Sequence, residues 1–159
     1  MYKRILVAVD GSDTSDLALK TAIGLAKDQK ALLHILHVAD LSPATLAVAD
    51  MPRADPNLLN KIGEAIQAGG QTILTRALNE ARAASLEADA SLKTFRMPVG
   101  QVSDVIEEEA ELWNPDLIIV GTHGRRGFRR LLLGSVAESL ARISTKPVLL
   151  VRAHAAPRQ

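Results

Sequence analysis

The chain has no cysteine. That excludes disulfides, thiolate catalysis and cysteine-ligated metal, and it accords with a reducing compartment. It also lacks an excess of charge of either sign. With a formal net charge of +1 there is no general basic face for nucleic acid, so any positive potential must be local. No run reaches the ~18 apolar residues that cross a bilayer. The apolar stretch within Met1 to Asp10 is too short for a signal peptide, and an aspartate ends it. A cytoplasmic protein without membrane insertion is expected. What is present is ordinary for a globular domain: 47% hydrophobic and 23% charged residues in 159. That length corresponds to one domain able to bury about 70% of its unfolded surface. The domain is expected over 1–152, with a polar tail at 153–159.

Apolar runs alternate with helical patterns. Strands are expected at Ile5–Val9, Ala31–Val38, Ser91–Met97, Leu117–Val120 and Pro147–Val151. The third is the weakest and suits a sheet edge. Between them, Asp16 to Lys27 places Leu17, Leu19, Ala22, Ile23 and Ala26 at mainly helical spacing, after the capping candidates Ser12 and Asp13. A long helix over about 57–87 carries Leu59, Ile62, Ile66, Ile73, Ala77 and Ala81 on one stripe. Gly69 and Gly70 interrupt it, which suggests a kink or close packing. Residues 101–113 form another helix, with Val102, Val105, Ile106, Ala110 and Trp113 inward and Glu107, Glu108, Glu109 and Glu111 on a solvated face. A helix from Ser135 to Ile143 precedes the last strand. The Pro-containing segment 41–56 reads either as a lid or partner surface or as a tolerated insertion.

Such alternation implies a parallel α/β sheet with right-handed crossovers. With the third strand at the edge the order becomes 3-2-1-4-5. The winding then reverses between strands one and four, where ligands of such folds bind. Asp10 and Gly121 should therefore face one crevice.

The most informative stretch runs from Gly121 to Ser135. Glycines follow a buried strand, four arginines at 125, 126, 129 and 130 come next, and a Gly-Ser pair opens a helix. Glycine lets backbone amides approach a ligand, and a helix N-terminus offers unpaired N–H groups to an anion. The stretch reads as a phosphate cradle. It is neither the lysine-bearing P-loop nor the G-x-G-x-x-G of dinucleotide folds. His34 and His37 lie three apart on a strand and point to opposite faces, so they cannot share a metal. Asp10, Asp13 and Asp16 are spaced by three, whereas a calcium loop begins with ligands spaced by two.

The spacing Gly121-x2-Gly124-x9-Gly134-Ser135 resembles the ATP-binding signature of the universal stress protein family. Arg4 to Ser12 at the start, His37-Val38 at the end of strand two, and Lys146 to Val151 at the close agree with it. The resemblance covers essentially the whole chain. It implies an open five-stranded parallel sheet of order 3-2-1-4-5 with helices on both faces, Rossmann-like and akin to the adenine nucleotide alpha hydrolases. It also implies a homodimer and adenine-nucleotide binding, with ATP as ligand and Mg2+ riding on its phosphates. By position, Ala8, Val9 and Asp10 would line the adenosine end, with Val38 against the base. Asp10 would hold a ribose hydroxyl or a base edge. Val120, Gly121 and Gly124 would pass under ribose and phosphates. Gly134, Ser135, Val136 and Ala137 would supply amides, and Ser135 its hydroxyl. Arg125 and Arg126 are better placed for phosphate than Arg129 and Arg130.

Plainer roles stand beside these. Ser135 to Glu138 spells a capping box, Asp10 suits a turn into the first helix, and His123 suits packing or a single hydrogen bond. The last strand, 147–151, is an apolar edge that a second copy would cover. The leading function is a nucleotide-dependent regulatory module with an unidentified protein partner. A slow ATPase is the alternative, although only the cationic part of phosphoryl-transfer machinery is evident. A dimer that binds no nucleotide is the third. Valine at Gly121 or Gly134 is expected to abolish binding while the fold survives.

Overall fold

The computed structural model describes residues 1–42, 56–95, 101–123 and 133–152. Its elements in order are β1 (Arg4–Ala8), α1 (Asp13–Gln29), β2 (Leu32–Asp40), α2 (Pro56–Ala83), β3 (Ala88–Phe95), α3 (Val102–Trp113), β4 (Leu117–Gly121), α4 (Ser135–Ile143) and β5 (Val148–Val151). The strands form one parallel sheet of order β3-β2-β1-β4-β5. The expected winding is therefore present, with the reversal between β1 and β4 and the weak third strand at one edge. β3 begins three residues earlier than expected. Ala88, Asp89 and Ala90 pair with Leu33, His34 and Ile35, although their own apolar signal is slight.

Alternation along the buried strands feeds two cores. Ile5, Val7, Leu33, Ile35, Leu117 and Ile119 face α1 and α2, where Leu19, Ala22, Ile23, Leu74, Ala77 and Ala81 meet them. Leu6, Leu36, Ile118 and Val120 face α3 and α4, against Ile106, Ala110, Ala137 and Leu140. Both faces are covered, as an all-parallel sheet requires.

Local chemistry sets the helix ends. Ser12 caps α1 by accepting from the Ser15 N–H, and Asp13 and Asp16 lie in the positive first turn. Lys30 and Asn114 end α1 and α3 in the left-handed conformation. Leu17 departs from expectation at 38% exposure. It lies two residues from Leu19, and two helical residues are about 200° apart, so both cannot face the sheet. The second glycine-interrupted helix runs unbroken through Gly69 and Gly70. Its buried seam is Gly70, Leu74, Ala77 and Ala81, while Ile62, Ile66 and Ile73 are only half-buried.

Glu109 corrects the reading of a solvated acidic face. It is 7% exposed. Its Oε1 lies 3.1 Å from His34 Nε2 and accepts from Ser91 Oγ at 2.9 Å, while Oε2 pairs with Lys93 Nζ at 2.9 Å. Burial pushes its pKa up, but the bonds from Lys93 and Ser91 and the charges of Lys93 and His34 outweigh that and hold it below the usual carboxylate value. Trp113 stacks on His34 at 5.1 Å and carries the Arg4 guanidinium 4.1 Å from its ring centre. The cluster fastens α3 to β1, β2 and β3.

Candidate functional site

The crevice at the reversal is assembled from three chain segments. The first is the turn from β1 into α1. Past Ala8, the Val9 N–H donates to the Leu36 carbonyl at 2.8 Å. Asp10 then closes a tight turn. Its Oδ1 accepts from the Ser12 N–H at 2.9 Å and from Ser12 Oγ at 2.6 Å, and its own N–H donates to Ser15 Oγ at 2.9 Å. Gly11 between them has φ +81°, a conformation that disfavours any side chain. Asp10 thus has the turn-forming role that its setting suggested, and it remains half-buried at the strand end.

The second segment is the end of β4. Ala8 pairs with Val120, and Gly121 with Val151. A Cβ on Gly121 would stand 2.9 Å from the Thr14 carbonyl carbon, 3.0 Å from its oxygen and 3.1 Å from the Ser15 nitrogen. This glycine therefore lets the first turn of α1 lie directly on β4. Thr14 Oγ1 donates to the His123 carbonyl, and Ser12 Oγ, whose proton goes to Asp10, lies 3.3 Å from the same oxygen. The Asp10 turn and the end of β4 are thus adjacent, and serine and threonine hydroxyls join them. Ser12 is anticipated from the sequence only as a cap, and the part of Thr14 was not anticipated, although the run of Ser12, Asp13, Thr14 and Ser15 was the visible signal.

The third segment is the start of α4. The Gly134 N–H donates to the Thr122 carbonyl at 2.7 Å, which holds the helix start against β4. Gly134 is itself the N-cap, and no side chain caps the helix. The expected capping box is therefore absent. The helix begins at Ser135 as expected, so this serine is the first helical residue, exposed and inside the cap position, and Glu138 pairs instead with Arg142 at 3.1 Å. The first-turn amides of Ser135, Val136 and Ala137 lie before any intrahelical partner. An uncapped helix start of this kind suits an anion.

Ala8, Val38 and Val136 pack against the cluster that contains Val120 and Ala137, so five of the anticipated residues meet on the α3–α4 face. Val9 lies elsewhere by side chain, buried in the α1–α2 core. Its neighbour His37 holds it from behind: Nδ1 is 2.6 Å from the Val9 carbonyl. His123 Nδ1 is 3.0 Å from Thr122 Oγ1, and its Nε2 is buried with no partner among the described residues. Gly124, Arg125, Arg126, Arg129 and Arg130 lie outside the described residues, as do positions 43–55 of the Pro-containing segment. Among the described residues no three acidic, histidine or cysteine side chains converge to hold a metal, and no helix is long and apolar enough to cross a membrane.

An open parallel α/β sheet, with glycines and a bare helix start at its reversal point, defines the Rossmann-like class built to receive phosphate-bearing ligands. Comparison narrows the class. The Universal stress protein family profile matches residues 1–152. Universal stress protein YxiE of Bacillus subtilis is 33% identical over 153 residues, 96% of this chain and 100% of the relative. The solved structure of hypothetical protein MJ0577 of Methanocaldococcus jannaschii is similar at TM-score 0.80 and 25% identity, over 98% of this chain and 99% of that one. A universal stress protein solved in complex with cAMP is similar at TM-score 0.61 and 27% identity, over 95% of this chain and 97% of that one. The chain belongs to the universal stress protein family.

Proposed function

We propose that the chain binds an adenine nucleotide, ATP with its Mg2+ in the first instance, in the crevice between the Asp10 turn, the end of β4 and the start of α4. One observation carries the reading: a helix start without a side-chain cap is tethered through Gly134 to the end of β4, beside the glycine that seats α1. Amides there meet phosphate, while Ala8, Val38 and Val120 offer an apolar wall to the base. Asp10, ordered by Ser12, presents a carboxylate to a ribose hydroxyl or base edge. Arg125 and Arg126 add charge toward the phosphates. The bound cAMP of the family member described above supports the adenosine part of the assignment. Nucleotide occupancy then biases a surface read by a partner, in a cytoplasmic homodimer joined along β5.

Binding, rather than catalysis, is the proposed activity. Among the described residues no acidic metal cage is present, and the sequence makes only the cationic part of phosphoryl-transfer machinery evident. Calorimetric titration with ATP, ADP, AMP and cAMP tests the reading. Saturable binding, lost in Gly134→Val and weakened in Ser135→Ala, is expected. No binding at millimolar nucleotide would overturn it. Turnover near ~10 per second would transfer the assignment to an enzyme.

A further inference from the structure

β2 grips the chain one residue beyond the end of β1. The Val9 N–H is taken by Leu36, and the Val9 carbonyl is met by the next residue along, His37, at 2.6 Å from Nδ1. A carbonyl oxygen only accepts, so Nδ1 carries a proton. The ring is buried, and Gly70 of α2 stands against its other side. A Cβ on Gly70 would lie 2.6 Å from His37 Cδ2, 3.1 Å from Nε2 and 2.8 Å from Leu92 Cδ1. Gly69 beside it meets nothing within 4 Å. The demand for glycine is therefore confined to the face that touches the imidazole.

The grip is passed on. Beyond Val9, the Asp10 N–H is held by Ser15 and the Asp10 carboxylate by Ser12, and Ser12 Oγ reaches the His123 carbonyl. One unbroken series of contacts runs from Gly70 through His37, Val9 and Asp10 to the head of the glycine segment. His37 itself lies on the α2 side of the sheet, with Val9, Leu33 and Ile35, away from the wall of Ala8, Val38 and Val120.

We propose that His37, seated by Gly70, is a positioning residue for the adenosine end of the crevice: it holds the Val9 carbonyl so that Asp10 is presented in one orientation. The inference rests on the adenine-nucleotide reading above and extends it to two residues that do not touch the ligand. It also gives α2 a direct hold on the site, because any outward shift of the helix frees the ring.

Asparagine supplies a discriminating variant. Its Nδ2 occupies the place of the imidazole Nδ1 and donates as that atom does, while its Oδ1 takes the place of Cδ2 and nothing replaces Nε2. Full-length His37→Leu, His37→Asn, Gly70→Ala and the double variant Gly70→Ala/His37→Asn are titrated with ATP. Their Asp10 and Ser12 amides are followed by hydrogen exchange without nucleotide, and thermal unfolding confirms that each is folded. Loss of the one bond in His37→Leu is expected to weaken ATP binding about three- to tenfold and speed exchange at both amides, with His37→Asn close to wild type. Gly70→Ala should weaken binding, and the double variant should stay weakened, since the added Cβ meets Oδ1 of the asparagine where it met Cδ2, and Leu92 Cδ1 as before. A purely structural histidine would lower the melting temperature of both His37 variants and leave ATP affinity and the two amides unchanged. Wild-type affinity and exchange in His37→Leu and Gly70→Ala would overturn the proposal. If wild type fails to bind ATP, the nucleotide reading falls, and unchanged exchange in His37→Leu would separately overturn the hold on the turn. If His37→Leu does not fold, Gly70→Ala decides by ATP affinity and by exchange at the Asp10 and Ser12 amides, wild-type values in both overturning the proposal.

Discussion

His34 and His37 sit three residues apart on β2 and belong to opposite faces of the sheet. His34 meets side chains: Glu109, Ser91 and the Trp113 ring. His37 meets a main-chain carbonyl and a glycine. The difference separates two kinds of fastening. On the α3 face, a buried carboxylate gathers a histidine, a serine and a lysine, and its cost of burial is offset only while all three remain. At the carboxyl end, the fastening runs through backbone groups and short hydroxyls. That arrangement keeps the Asp10 carboxylate and the α4 amides beside the crevice.

The largest expected effect lies on the His34 side. Glu109→Ala strands a buried histidine and removes the partner of Lys93, and it should cost about 2–4 kcal/mol in urea unfolding. ATP affinity of the folded protein should stay unchanged. A matching loss of affinity would erase the distinction between the two fastenings. Next comes Gly121→Ala, whose methyl would press on the Thr14 and Ser15 backbone. About 1–3 kcal/mol of overpacking is expected, so the anticipated clean loss of binding at Gly121 is replaced by a combined loss of binding and stability. Unfolding at wild-type denaturant would show that α1 yields freely.

A smaller effect is read through pH. The Glu109 pKa is lower in the folded chain than its ordinary value of about 4.3. Its contribution is thus complete above that pH and is lost as pH falls through the lower folded value. Asp116 has the same sign, because the Lys3 and Arg4 amides hold its carboxylate low. Glu109→Gln should flatten the acid limb of stability against pH, and His37→Asn should leave it as steep as wild type. An equally steep limb in Glu109→Gln would assign the acid sensitivity elsewhere. The smallest effect contrasts two adjacent glycines. Gly69→Ala, in open space, should raise stability by about 0.5–1 kcal/mol through helix propensity. Gly70→Ala should lower it, and equal effects would dissolve the seat proposed for His37.

Much of this architecture was legible in residue order. Alternating apolar runs place five strands, the weak run at 91–97 announces an edge, and together they imply the winding and its reversal between β1 and β4. Spacing alone also separates the glycine segment from the commoner phosphate motifs. The site was legible less evenly. Ala8, Val38, Val120, Val136 and Ala137 share one apolar cluster, where the resemblance gave them roles toward a ligand, whereas the hold of His37 on Val9 and the seat at Gly70 left no mark in any periodic pattern.

Periodicity reports which way a side chain points relative to its own element, because backbone geometry is local and repeats. It cannot report what arrives from another element. Glu109 shares its run of glutamates with exposed neighbours and is buried because β2 and β3 bring His34, Ser91 and Lys93 to it. Gly121 reads as a ligand glycine, yet its nearest neighbours are the backbone of Thr14 and Ser15, more than a hundred residues earlier. The Ser135 cap fails because Gly134, tied to Thr122, holds the cap position and Ser135 already lies inside the helix. The order of residues suffices for strands, winding and signature. Partners distant in sequence exist only once the sheet has closed, and they determine which polar groups are consumed in holding the crevice.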